Sequence, residues 1–173
     1  MLSNLTTLIA ALFGGLLSIG LLYILLTKTG PKYHIFNPKP KEYEVAPALS
    51  GTLLKNGEIL ANTRIVRVYN WNPNKNAETD EATTDENGYF SFPSVEKTLA
   101  LTPLAQHSFF CELTLENKKG EPVWRASNFA EHKYFEDESS PNQMTCDILD
   151  EEITVRVGNT PISTKCRWNG LSI

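Results

Sequence analysis

The chain has 173 residues and a formal net charge of −4, from 16 Lys and Arg against 20 Asp and Glu. Every acidic residue lies after Lys41, so residues 42–173 carry all 20 acidic side chains and 12 basic ones, the 16 of the chain less the four lysines before Glu42. Nucleic-acid binding requires clustered Lys and Arg that neutralise phosphates. The composition therefore predicts no nucleic-acid partner, and about 130 residues suit one domain with a single core.

The chain begins with a long uncharged segment, from Leu5 to Leu26. A helix of this length spans the hydrocarbon core of a bilayer, which takes roughly 20 residues. A cleavable signal peptide is the alternative, but Met1–Asn4 contain no Lys or Arg, the apolar run is long, and no Ala-x-Ala precedes Thr27. The segment predicts a single transmembrane helix, within an anchor of residues 1–27 that contacts membrane lipid through residues 5–26.

Small residues recur along one side of this predicted helix, at Ala10, Gly14 and Ser18. A small residue at every fourth position lets two membrane helices approach closely. Small residues are also common in membrane helices that do not associate. Self-association through this stripe is therefore one of two interpretations.

Residues 28–47 contain four prolines and four lysines. Proline fixes φ and biases the preceding residue toward extended geometry, so this segment predicts a stiff linker. Residues 48–173 then form the folded domain.

The side of the membrane on which this domain lies is predicted from two opposing features. Lysines just after the span favour the cytoplasm, although a cationic segment can also lie against anionic headgroups. Cys146 and Cys166 are separated in a way that suits a disulfide of an exported protein. We expect a single-pass inner-membrane protein with a periplasmic domain, and a cytoplasmic domain is the alternative.

The domain consists of short apolar segments separated by turn residues. Asn56-Gly57 and Asn87-Gly88 supply the positive φ of tight turns, and each predicts a hairpin. Ser108–Leu115 alternates strictly, which places Cys111 on the face that should be buried. Because no amphipathic helix separates these segments, they predict an all-β sandwich. The predicted strands are Leu49–Leu54, Arg64–Tyr69, Tyr89–Phe92, Ser108–Leu115, Pro122–Ala126, Met144–Leu149 and Ile153–Val157.

The segment from Ser50-Gly51-Thr52-Leu53 through Asn56-Gly57 to Asp85-Glu86-Asn87-Gly88-Tyr89-Phe90 resembles the carboxypeptidase-regulatory-like, or transthyretin-like, β-sandwich module. The resemblance covers Leu49 to about Pro93. Cys146-Asp147 and Cys166-Arg167-Trp168 are similar to segments of an uncharacterised family of Gram-negative bacterial proteins that share this module. The resemblance implies a transthyretin-like fold and no activity, and the membrane span is a departure from it.

Residues suited to catalysis or metal binding do not form a recognisable motif. His34, His107 and His132 lie far apart and lack zinc-ligand spacing. No Gly-x-Ser-x-Gly segment is present, and Cys111 is expected to be a core residue. We therefore predict no enzyme, no cofactor and no metal site. One alternative is calcium binding by Asp147, Asp150, Glu151 and Glu152, whose spacing differs from that of an EF-hand.

The remaining interpretation is a binding module that contacts another protein through its loops, since binding residues concentrate on loops held by a rigid scaffold. Cys146 and Cys166 are assigned to a structural disulfide, with free buried thiols as the alternative. We expect an accessory or immunity-type role at the bacterial envelope, and carbohydrate or peptidoglycan binding is the second hypothesis. The candidate binding residues are Tyr69, Trp71, Glu131, Glu136, Asp137 and Glu138.

Overall fold

The computed structural model describes residues 38–72, 76–102, 105–116, 121–135, 141–169 and 171. The predicted transmembrane helix, residues 5–26, lies outside these ranges. Across the described ranges no helix is long and apolar enough to cross a membrane. The described residues form strands and turns without any helix, which confirms the predicted all-β class.

Thirteen strands follow one another along the described part of the chain. They are β1 (Lys41–Ala46), β2 (Leu49–Lys55), β3 (Glu58–Ile59), β4 (Arg64–Trp71), β5 (Glu78–Thr83), β6 (Tyr89–Phe92), β7 (Val95–Leu99), β8 (Ser108–Leu115), β9 (Pro122–Phe129), β10 (Met144–Asp147), β11 (Ile153–Val157), β12 (Thr160–Thr164) and β13 (Cys166–Arg167).

One layer of the sandwich is a six-stranded sheet in the order β11-β12-β9-β8-β4-β5. All of its neighbouring strands are antiparallel. Alternate residues of β4 and β8, such as Ile65, Cys111 and Leu113, are fully buried. The residues between them are directed away from the core, as the two-residue period of a strand requires.

The opposite layer is built around β2, which pairs in parallel with β10 and antiparallel with β3 and β6. Strands β1 and β7 form a separate antiparallel pair. The register nevertheless runs on from one pair to the other, because Leu49 lies opposite Phe92 and Ala46 lies opposite Val95. Strands β1, β2, β6 and β7 thus form one long ribbon, which Pro47 and Pro93 interrupt.

Strand β1 lies inside residues 28–47, the segment predicted to be linker. The prediction is wrong over Lys41–Ala46, because these residues pair with β7. Tyr43 and Val45 alternate with charged residues and contact the core, Val45 being completely buried. The prolines around β1 obscured this alternation, since proline is confined to the ends and edges of strands.

The two predicted hairpin turns have different outcomes. Asn56 and Gly57 have φ values of 55° and 77° and join β2 to the short strand β3. The turn before Gly88 does not form a hairpin, because β5 pairs with β4 whereas β6 pairs with β2 in the other layer. Gly88, with φ at 74°, therefore lies in a connection between the layers. A Cβ at this position would lie 2.9 Å from the carbonyl oxygen of Leu53.

Arg67 of β4 is completely buried between the two layers. Its Nε donates to Asp80 Oδ1 at 2.8 Å, and its Nη2 pairs with the other oxygen of that carboxylate. Its Nη1 donates to the carbonyl oxygens of Pro47 and Pro93, at 2.7 and 2.8 Å. The guanidinium thus fills the interruption of the ribbon and ties it to β4 and β5. Its carbon Cζ also lies 4.9 Å from the ring centre of Phe92, within cation–π range.

Arg67→Met should lower the free energy of unfolding by about 3 kcal/mol, because it leaves the Asp80 carboxylate and two inward carbonyl groups without a donor. Arg64→Met is the matched control on the same strand. Arg64 is exposed and pairs with Glu81 and Glu116, so its loss should cost much less than the loss of Arg67. Urea unfolding of the full chain in detergent, followed by tryptophan fluorescence, measures both. Equal losses in the two variants would contradict a central role for Arg67.

Asp147, at the end of β10, holds the tip of the β2–β3 turn. Its carboxylate accepts hydrogen bonds from the backbone N–H groups of Asn56, Gly57 and Leu149, at 3.0, 2.6 and 3.0 Å. The bonds from Leu149 and Gly57 are the main cause of the lowered pKa of Asp147. Hydrogen bonding to the ionised form lowers a carboxyl pKa in this way.

Asp147→Asn should lower the free energy of unfolding near neutral pH by about 1 kcal/mol, the net value of a typical hydrogen bond. A lowered folded-state pKa stabilises the fold above the ordinary Asp pKa of about 3.9, and this contribution is lost as the pH falls through the folded-state value. The difference between wild type and variant should therefore shrink toward zero in acid. Melting temperatures from pH 2 to 7 test this, with Asp150→Asn as the control. A difference that does not change with pH would contradict the role of the charge.

Candidate protein-binding surfaces

The candidate binding residues are distributed differently from the prediction. Tyr69 and Trp71 both belong to β4, which extends two residues beyond the predicted strand Arg64–Tyr69. Tyr69 is 6% exposed, and its hydroxyl lies 3.3 Å from Glu78 Oε2, so it is a core residue and the prediction of an exposed binding residue is wrong. Burial is also the main cause of its raised pKa. Trp71 is partly buried against the core. Glu131 is exposed, and Glu136, Asp137 and Glu138 lie outside the described residues.

The outward face of the six-stranded sheet contains a groove of about 410 Å³, which we call the outer groove. Val66 and Val68 of β4 form its floor, and carboxylates of β5 and of the β8 segment stand beside them. Arg64 spans one end, where it pairs with Glu81 and Glu116. The lining residues are Val66, Val68, Thr79, Glu81, Glu112, Thr114 and Glu116.

Glu112 is the unusual member of this groove. It is half-buried and lies between Val68 of β4 and Arg125 of β9 in the sheet register. Arg125, however, pairs at 2.8 Å with Glu152, which Ser163 also contacts. Among the described residues Glu112 therefore has no ion-pair partner. A carboxylate beside a valine floor loses hydration, and a cation from a bound molecule would compensate for that loss.

A second depression, the β1 cleft, has a volume of about 290 Å³. Its floor is aromatic, because the rings of Tyr43 and Phe109 pack edge to face at 5.9 Å. Lys41 Nζ lies 5.3 Å from the centre of the Tyr43 ring. Glu131 lies at this cleft, so this one predicted binding residue does line a depression. The lining residues are Lys41, Glu42, Tyr43, Glu44, Glu96, Phe109, Ala130, Glu131, His132 and Lys133.

Glu44 and Glu96 face each other across β1 and β7 in the β1 cleft. Burial is the main cause of the raised pKa of Glu44, and the carboxylate of Glu96 adds to it. The backbone N–H of Tyr134, 3.3 Å from Glu44 Oε2, and the charge of Lys133 act in the opposite direction. Like charges directly opposite each other destabilise a strand pair. The β1 cleft therefore disfavours the binding of an anion beside Glu44 and Glu96.

Three of the other candidate groups, His107, Asp147 and Glu152, have structural partners. His107 Nδ1 lies 3.0 Å from the carbonyl oxygen of Asn72, and its Nε2 lies 3.0 Å from that of Thr102. Asp147 and Glu152, considered for calcium, contact backbone N–H groups and Arg125 respectively. Within the described ranges no three His, Cys, Asp or Glu residues converge in a way that could hold a metal ion.

The cysteines agree with the sequence analysis. Cys146 and Cys166 form a disulfide that joins the neighbouring strands β10 and β13, which confirms the predicted pairing. Cys111 is a free and completely buried thiol, and burial strongly raises its pKa. Since the thiolate is the nucleophilic form, Cys111 is held unreactive. Trp168, beside the disulfide, also belongs to the core.

The outer groove is not among the sites predicted from the sequence. The alternation of Ser108–Leu115 does place Glu112 on the face opposite Cys111, which was a usable signal. The groove itself depends on β5, whose sequence Glu-Thr-Asp-Glu-Ala-Thr was not predicted as a strand. The carboxylates of the outer groove lie beside Val66 and Val68 only because of the register of β4 with β5 and β8.

The comparisons with known proteins bear on the family and not on an activity. No curated protein matches the chain, and no solved structure matches it. A family model described as a domain of unknown function, DUF6795, matches residues 49–151, from the start of β2 to the residues just before β11. The chain belongs to the DUF6795 family.

Proposed function

We propose that this chain is a non-enzymatic binding module that contacts another protein at the bacterial envelope, in an accessory or immunity-type role. Its fold is proposed to be transthyretin-like, and its tether is the apolar segment 5–26. The outer groove is proposed as the contact surface, and the partner presents a Lys or Arg side chain to Glu112.

The observation that carries this proposal is the half-buried Glu112 carboxylate, which has no ion-pair partner within the described residues and lies beside the valine floor. An apolar floor with a charged group beside it suits a partner residue with an apolar stem and a cationic end, as Lys and Arg have. The groove lies on paired strands, so its backbone is already ordered before binding. Such preorganisation reduces the entropic cost of association.

The proposed binding surface is tested by affinity purification of the tagged full chain from membranes. Glu112→Gln removes the charge at nearly constant volume and should lower recovery of the co-purifying protein about ten-fold, which corresponds to about 1.4 kcal/mol. Glu58→Gln is the matched control, because Glu58 is exposed on β3 in the opposite layer. Equal recovery with the two variants would refute the groove as the contact surface. A glycan in place of a protein would refute protein binding.

The proposed location is a single-pass inner-membrane protein with a periplasmic domain. The Cys146–Cys166 disulfide supports export, because structural disulfides persist in oxidising compartments and are rare in the cytosol. The uncharged segment 5–26 supports the membrane tether.

The location is tested by trapping thiols in acid-quenched cells and washing the membranes with alkaline carbonate. We expect the chain in the membrane pellet. After unfolding without reductant, mass spectrometry should show one alkylated cysteine, Cys111, and all three cysteines of the chain should react after reduction. Three reactive thiols before reduction would place the domain in the cytoplasm. Recovery of the chain in the supernatant would contradict the tether.

A further inference from the structure

The two edges of the six-stranded sheet differ in how well they are protected. Edge strand β5 carries three outward charged or hydroxyl side chains together with the inward carboxylates of Glu78 and Asp80, which pair with Lys97 and Arg67 respectively. Inward-pointing charges of this kind block strand addition. The other edge strand, β11, pairs only with β12 among the described residues. It contains no proline, lysine or bulge, so its outer N–H and C=O groups are available for pairing.

The inward-facing side chains of β11 are all apolar, and the rest of the described domain buries them only in part. Ile153, Val155 and Val157 each remain partly exposed, and the two valines pack against the core. An uncovered apolar row beside unpaired backbone groups favours the addition of another strand.

The sequence of β11 matches itself in the antiparallel direction. When two copies are centred on Val155, Ile153 of each copy lies opposite Val157 of the other, and the two Val155 residues face each other. On the outward side, Arg156 of one copy lies opposite Thr154 of the other, with Glu152 on one diagonal and the second Arg156 on the other. Diagonal neighbours lie about 7–8 Å apart, which long side chains can bridge. The apolar contacts are therefore satisfied in this register. The two Arg156–Glu152 diagonals outnumber the single Arg156–Arg156 diagonal, and Glu152 also pairs with Arg125 of its own chain.

We propose that β11 pairs with β11 of a second copy of this chain, antiparallel and centred on Val155. The two six-stranded sheets then form one continuous sheet across a two-fold axis. This inference is independent of the outer groove, because Glu112 lies on β8 and is not a member of the edge.

Val155→Cys tests the proposed contact in the full chain, because the two introduced thiols would face each other on the two-fold axis. Opposed Cβ atoms in paired strands lie about 4.5–5.5 Å apart, close enough for a disulfide after small adjustments. Mild oxidation should convert most of the chain into a covalent dimer on a non-reducing gel. Ala82→Cys is the matched control, a half-buried position on the opposite edge strand, and should give about ten-fold less dimer.

Arg156→Glu supplies a second measurement that does not depend on the introduced thiol. In the Val155→Cys background it should lower the yield of covalent dimer several-fold, because both diagonal ion pairs become repulsive. Lys55→Glu makes the same charge change at an exposed position of β2 and should have no effect. A Val155→Cys yield no greater than that of Ala82→Cys, or a yield that Arg156→Glu leaves unchanged, would overturn the proposal. Association through the membrane helix alone would give the first of these results.

Discussion

The arrangement of the two layers depends on the buried guanidinium of Arg67. Pro47 and Pro93 cannot donate to the ladder, so the ribbon of β1, β2, β6 and β7 breaks where they occur and leaves their carbonyl oxygens in the interior. Arg67 donates to both oxygens, and Asp80 neutralises its charge. A lysine could not replace it, because only the planar fork serves a carboxylate and two carbonyl groups together. One side chain thus fixes the position of the ribbon on β4 and β5.

Local patterns predicted much of the fold but not its pairing. Strict alternation located Ser108–Leu115, and the cysteine spacing led to the correct disulfide. The two-residue period of β4 places Arg67 on the same face as Ile65 and Tyr69. Burial of an arginine, however, depends on four acceptors from three other segments. Strand β5 was missed because its six residues are almost all polar. It is held by its register with β4 rather than by its own propensity.

The candidate binding residues show the same dependence on strand pairing. Tyr69 was selected because it precedes an Asn-rich loop, but β4 extends to Trp71 and its alternation turns Tyr69 inward. Glu131 was selected from a run of acidic residues and does line the β1 cleft. The outer groove draws its residues from β4, β5 and β8, which are separated in sequence. Only the antiparallel register places them side by side, and no local pattern contains that register.

The partners of each carboxylate are more informative than the acidic composition of the domain. Asp80 neutralises Arg67, Asp147 holds the β2–β3 turn, and Glu152 pairs with Arg125. These groups hold the fold together, and their charge is already compensated within it. Glu112 differs because Arg125, the cation opposite it in the sheet, pairs with Glu152 instead. Within the outer groove, Glu81 and Glu116 pair with Arg64, so Glu112 is the carboxylate there that no ion pair among the described residues compensates. The apolar floor beside it is a low-dielectric surface, which strengthens the attraction of Glu112 to a cation.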